Sequence, residues 1–502
     1  MYRTVGQLDS VMDILATFFP AVCTRVEMPN RSVLGLPIYA LHIHAGSSTN
    51  RRSVLIIGGM HARETMNPDA IADLQLDLVT AYLNETGITL GGRSWSDTEI
   101  KIMLESLDIW MLPCANPDGR EYVLNVDNLW RQNRRDNPGT TCDGVDVNRN
   151  CDIVWGVTTS TTSCNPCFNT YLGSNRFSEP ESRNIKDFCD VQGIDVFLDV
   201  HSFSELVLFP WGHAFTQTTD PSQNFLSLAT GTCQPINPPG HQEYMLPRDE
   251  LRFERVSQQI VDDIRAVRGR NYTPESIRHL YATTGTGSDY VYSRHIANPA
   301  LRKTYGFSFE TGPPVFNANG TINEPESFHP TDPTQQSLIK RDTKAGIISL
   351  MQQSICGIEF IGATLLGTTS GLDRMRTIRD ERLVTTKAGR DLVGLFERVQ
   401  FPLLGLIVSD ESLAKEAMGL LETSLKLLER DETVLTTREV KRGLAFVDSL
   451  AARTTSKNLR KDLTTVRQHL EGSANKSVGK VLHDLLGTST ATKKSTKSRR
   501  KS

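Results

Sequence analysis

An α/β domain with a buried sheet, followed by an all-α region, is the fold class that the 502-residue sequence predicts. Two observations predict it. Up to about residue 357, short apolar runs alternate with helix-like segments, the pattern of strands buried beneath helices. From about residue 358 the aromatics thin out, strand-like runs stop, and apolar residues recur at helical spacing instead. A chain this long exceeds what one hydrophobic core usually serves, which agrees with more than one domain.

In the first region, Val54 to Ile57, Ile109 to Leu112, Val196 to Val200 and Phe307 to Phe309 read as buried strands. Each runs into Gly, Pro, His or Glu, and loops beyond the strand ends of an open sheet are where such folds build sites. Pro180 to Phe188 and Ser337 to Met351 read as helices. In residues 358–485, Ser409 is placed to cap a helix in which Leu413, Ala417, Leu420, Leu421, Leu427 and Leu428 share a face. Thr436-Thr-Arg-Glu439 forms a capping box that opens a second helix, continued by Val440, Leu444, Val447 and Ala451. These stripes read as the core of a small bundle of unknown role, with a helix that binds a protein partner as the alternative. The basic tail, residues 486–502 with Lys493 to Lys501 at its centre, reads as a solvated, disordered terminus.

The formal net charge of −3 gives no general reason to expect nucleic acid or an acidic membrane as partner. No apolar run approaches the roughly 20 residues of a membrane span. The N-terminus lacks the basic start, apolar stretch and cleavage site of a signal peptide. Of nine cysteines, Cys142, Cys151, Cys164 and Cys167 cluster in one loop-like stretch. Cys164-Asn-Pro-Cys167 has no second C-x-x-C to complete a zinc knuckle, so local disulfides are the expectation. Disulfides argue for an oxidising compartment, which makes an extracellular setting the expectation and an intracellular one the alternative.

The chemistry gathers at the strand ends. His61-Ala-Arg-Glu64 follows the Val54 run and Asp199-Val-His201-Ser202 ends another. Catalytic zinc typically takes three protein ligands from His, Glu and Asp and leaves a fourth position for water. His61, Glu64 and His201 supply such a set, and the two residues between His61 and Glu64 let both side chains swing to one side of a tight turn. The H-E-x-x-H helix of other zinc proteases is absent. By itself, His-x-x-Glu is more often a surface pair.

Further motifs recur in a fixed order: Asn116-Pro-Asp-Gly119, Trp130-Arg131, Gly144-Val-Asp146-Val-Asn148-Arg149-Asn150, Tyr281 and Phe309-Glu310. With these, the sequence from Tyr2 to about Cys356 resembles the zinc metallocarboxypeptidases of the carboxypeptidase A/B type. The resemblance implies a single α/β/α domain with a mixed, mostly buried sheet over residues 1–357, holding one Zn2+. It implies His61, Glu64 and His201 as metal ligands, Glu310 as general base and Arg131 as the charge that meets the oxyanion. Asn148 and Arg149 fall on the clamp for the substrate's terminal carboxylate, Arg63 on an auxiliary substrate-binding arginine, Tyr281 on a mobile tyrosine that closes over the bound terminus, and Ser202 beside His201 in the substrate-binding set. The implied activity is zinc-dependent removal of C-terminal residues from peptides or proteins, with an inactive relative that keeps the fold, or another zinc hydrolase, as alternatives.

Ser288 falls on the position at the floor of the specificity pocket. With Leu208 and Thr283 nearby, a serine there offers no counter-charge to a buried Lys or Arg, so neutral C-terminal residues, aliphatic or aromatic, are the expected preference. A one-residue shift would put Asp289 on that floor instead. The resemblance also implies a Cys142–Cys167 disulfide, with Cys151 and Cys164 as an additional pair.

Overall fold

The computed structural model describes residues 2–47, 51–362 and 372–486. The chain divides into two compact units between Ile355 and Cys356. The basic tail beyond Leu486 lies outside the described residues. Among the described residues no helix is long and apolar enough to cross a membrane.

The first unit is built on an eight-stranded mixed sheet. Its strands are β1 (Cys23–Glu27), β2 (Tyr39–Ile43), β3 (Arg52–Gly58), β4 (Leu107–Leu112), β5 (Val196–His201), β6 (Leu206–Phe209), β7 (Thr273–Ser276) and β8 (Tyr305–Glu310). Their spatial order is β1-β2-β4-β3-β5-β8-β6-β7. The four expected strands are the four central ones, β3, β4, β5 and β8, and they run parallel to one another. Antiparallel strands flank them, β2 against β4 and β6 against β8. The central positions are continuously apolar because parallel strands covered on both faces have no solvent side to alternate toward. Val54, Leu55 and Ile56 have no exposed surface.

Both expected helices form, over Pro180–Gln192 and Pro333–Ser354. Pro180 sits in the first turn, where its missing N–H leaves no bond unmade, and Asp332 caps the second by accepting from Thr334 N. Pro333–Ser354 packs beside Met66–Leu83 and Pro247–Arg268, while Pro180–Gln192 packs beside Gly287–Ala297. Gly306 lets this last helix approach the sheet, because a Cβ on it would lie 2.2 Å from the Ser288 carbonyl oxygen.

A buried polar network supports the stretch from Trp130 to Asn150. Asn133 donates to Glu179 and Glu181 and accepts from Val145 N. Burial, with the neighbouring Glu179 adding to it, pushes the Glu181 carboxyl up to about 7. A folded-state pKa raised above the unfolded one contributes stability that is complete below the unfolded value and is lost as pH rises through the folded value. Stability therefore falls between pH of about 4.5 and 7 by on the order of 3 kcal/mol through this group. In urea titrations across that window, Glu181→Gln removes the decline. An unchanged slope would assign it to other carboxyls.

The second unit is helical. Its core joins Leu395 and Val399 of Lys387–Val408, Leu413 and Ala417 of Glu411–Leu427, Val447 and Leu450 of Thr437–Arg453, and Leu459 and Leu463 of Lys457–Leu470. The Thr436 capping box is present in full. The cap expected at Ser409 belongs instead to Asp410, whose carboxylate accepts from Ser412 N and Leu413 N. Ser409 ends the preceding helix, its hydroxyl donating back to Gly405 O. A carboxylate that accepts two orphan N–H groups is the stronger cap, and the two helices sit too close in sequence for a looser turn.

Candidate active site

The central parallel strands end in register. Glu310 on β8 lies opposite His201 on β5, and Val200 lies opposite Gly58 on β3. The chain leaves Gly58 for a tight turn, with Glu64 N donating to His61 O, before the Met66–Leu83 helix begins. All four chemical side chains thus emerge at one sheet edge. His61, Glu64, His201 and Glu310 are all buried.

His61, Glu64 and His201 place one ligand atom each within 4.8 Å of one another. His61 Nδ1 is 2.8 Å from Glu64 Oε1, His201 Nδ1 is 2.9 Å from Glu64 Oε2, and the two Nδ1 atoms are 3.1 Å apart. The outer ring nitrogens are held from behind. His61 Nε2 lies 3.2 Å from Asp146 Oδ1, and His201 Nε2 lies 2.6 Å from Asp199 Oδ2 and 3.0 Å from Asn148 Nδ2. Carboxylates behind the rings fix which nitrogen faces inward and raise its basicity, as metal-binding histidines require. Two nitrogens and a carboxylate, converging in a buried place, fit zinc.

Asp146 organises more than His61. Its Oδ2 accepts from Arg131 Nε at 2.9 Å and its Oδ1 from Asn148 N at 3.0 Å. Burial opposes the charge on Arg131, but Asp146 overrides it and raises the guanidinium pKa. The Arg131 carbonyl accepts from Ala62 N, which ties it to the His61 turn. Burial pushes the Glu310 carboxyl up to about 8; His201 and Arg131 pull against that rise and Glu64 adds to it.

Arg149 is 2% exposed. Its Nε donates to Thr161 O and its Nη1 to Asn148 O, which leaves Nη2 without an acceptor among the described residues. The Tyr281 ring centre lies 5.8 Å from the guanidinium carbon. Gly285 makes this approach of loop to arginine feasible. It has φ +72°, and a Cβ there would lie 2.2 Å from the Arg149 carbonyl oxygen. Asn148 is already committed, accepting from Gly287 N at 2.8 Å as well as facing His201. Arg63 turns toward Glu324 at 3.7 Å and lies over the Phe328 ring. Ser202 donates its backbone N–H to Glu64 Oε2.

Ser288 is buried, with its hydroxyl on Phe307 O at 3.1 Å and Ser308 Oγ at 2.5 Å. Ser308 lies opposite Leu208 in the sheet. Asp289 turns the other way, accepting from Gly212 N at 2.9 Å, and burial pushes its carboxyl up to about 6.

Residues 8–324 match the family model described as zinc carboxypeptidase. The chain belongs to the zinc carboxypeptidase family. It is 33% identical to carboxypeptidase A4 of Mus musculus over 44% of this chain and 49% of that protein. It is 27% identical to carboxypeptidase A1 of Rattus norvegicus over 62% of each. It is also 29% identical to the inactive metallocarboxypeptidase ECM14 of Arthroderma otae, over 48% of this chain and 40% of that protein. The chain thus spans between two fifths and three fifths of the length of these relatives. Among solved structures, thrombin activatable fibrinolysis inhibitor superposes with a TM-score of 0.54 at 20% identity, over 70% of this chain and 74% of that one, which shows the fold.

One disulfide of this family member joins Cys142 to Cys167, as the resemblance implied. The second departs from expectation: Cys164 pairs with Cys233, not Cys151. Cys151 is a fully buried free thiol, its backbone N–H bonded to Gly285 O. Gln234–Pro235 pairs with Val157–Thr158, which brings the distant Cys233 alongside. Asp146 and Asp199 were the site residues to which the sequence assigned no role. Their signal was spacing, each carboxylate two residues before a site residue, Asn148 or His201.

Proposed function

We propose that this chain is a zinc-dependent exopeptidase that hydrolyses the C-terminal peptide bond of peptides or proteins. The observation that carries the reading is the register of the sheet edge, which sets the Glu310 carboxyl beside a two-histidine, one-glutamate ligand set. His61, Glu64 and His201 hold the metal, which when bound supplies a Lewis acid and lowers the pKa of water. Glu310 takes the proton from the attacking water and delivers it to the leaving amine. Arg131, kept charged by Asp146, meets the negative charge that develops on the scissile carbonyl oxygen. Arg149 offers its unengaged Nη2 to the substrate's terminal carboxylate, and Tyr281 covers it. The full set of ligands, base and arginines favours activity over the inactive condition named for one relative.

A neutral side-chain pocket follows from Ser288, whose hydroxyl is consumed by β8, and from Asp289, whose carboxyl is turned to Gly212. Burying Lys or Arg there without a counter-charge costs several kcal/mol. The two disulfides suit an oxidising compartment. Peptides ending in Phe, Leu, Lys or Arg, each free or amidated, test both statements. Chelator-sensitive release of one residue from the free Phe and Leu peptides alone is the expected result. Cleavage of the amidated peptides would sink the exopeptidase reading, and faster release of Lys or Arg would sink the pocket.

A further inference from the structure

A second cluster of metal-type ligands lies in the same unit, away from His61, Glu64 and His201. His213, His241 and Glu243 place one ligand atom each within 4.8 Å of one another. His241 and Glu243 are two apart on an extended segment, and alternation along a strand sends both side chains to one face. His213 arrives from the chain just after β6. Both rings aim Nε2 at the same oxygen, Glu243 Oε2, at 2.8 Å from His213 and 2.9 Å from His241. The other oxygen, Oε1, accepts from Phe225 N at 3.1 Å and so fixes the carboxylate. His213 and Glu243 have 1% and 0% of their side chains exposed, and His241 has 6%.

Charge supports a cation here. Glu243 is a buried carboxylate, and its ion-pair partners among the described residues are the two imidazoles. The buried carboxyl of Asp289 stands close by, on the backbone N–H of Gly212 next to His213, with one oxygen unpartnered. A buried carboxylate needs a partner that supplies firm positive charge. A divalent ion does, and two histidines with one carboxylate are a zinc-type donor set with a position left for a further ligand.

We propose that His213, His241 and Glu243 form a second zinc-type metal site. The segment it would tie down carries weight in the fold. Trp211 O accepts from Arg278 N and Gly212 O from Thr283 N, so the His213 segment is stitched to the loop that bears Tyr281. A metal at Glu243 joins the Gln242–Tyr244 strand to that seam.

Metal analysis of the full chain, loaded with zinc and then freed of excess, tests the site without any assay of activity. The wild-type protein is expected to retain two equivalents of zinc, His61→Ala one and His241→Ala one. In the His61→Ala background, cobalt(II) is expected to give the intense visible bands of a low-coordinate site. Those bands are expected to vanish when His241→Ala or Glu243→Gln is added. One equivalent in the wild-type chain and none in His61→Ala would overturn the proposal, leaving the cluster as hydrogen-bonded histidines. That result does not depend on how well the His241 or Glu243 variants fold.

Discussion

Glu310→Gln is expected to lower kcat on an unblocked peptide by roughly 10²–10⁴-fold, the usual worth of a positioned general base, while metal content stays at the wild-type level. The side chain sits at the end of β8 with its backbone locked opposite His201, so the isosteric amide occupies the same place. What is lost is the ability to accept a proton. Burial, only partly offset by His201 and Arg131, pushes this carboxyl up to about 8, which would leave it protonated at neutral pH. The positive charge of a cation held by His61, Glu64 and His201 would act in the opposite direction, toward the carboxylate that the proposed base role requires. The substitution therefore separates the two duties of the site. Unchanged kcat in a variant that retains its metal would remove Glu310 from the reaction. Loss of the metal as well would make it a structural support of the ligand set.

Arg149→Met is expected to lower kcat/KM on free peptides by about 10²-fold or more, the scale of removing one partner from a buried charged pair. Selectivity is the sharper readout. The wild-type chain should distinguish a free from an amidated terminus strongly, and the variant should distinguish them little. Because Arg149 also bonds Thr161 O and Asn148 O, its loss disturbs the loop as well. Arg149→Lys separates the effects, since it keeps the charge and loses the planar fork. Partial recovery of discrimination by Lys would place the charge on the terminal carboxylate. Equal loss of rate on both peptides in both variants would assign Arg149 to loop architecture alone.

The sheet centre was legible because parallel buried strands write themselves as unbroken apolar runs, and β3, β4, β5 and β8 fall on the four such runs. Part of the candidate site was legible because His201 and Glu310 lie at the ends of those runs, and His61 and Glu64 just beyond one. The outer strands β1, β2 and β7 were not, because they mix buried positions with half-buried or exposed ones in short segments. Asp146 was visible in a motif but not its duty, since a bridge to His61, Arg131 and Asn148 exists only after distant segments meet. The same holds for Cys164 and Cys233, 69 residues apart, where proximity in sequence pointed to the wrong partner. His213, His241 and Glu243 gave no sequence signal beyond His241-Gln-Glu243, a pattern too common to read.

The contact at Gly285 has a consequence for anyone who would re-engineer this chain. Pocket residues invite replacement by borrowing the stretch from Tyr281 to Asp289 from a differently selective enzyme. A borrowed stretch carrying any side chain at 285 would push against the Arg149 carbonyl oxygen and displace the arginine itself. Under the proposed function, altered taste for one side chain and grip on the chain end would thus be inherited together, and a graft that keeps glycine at 285 is the one that could change the first without spoiling the second.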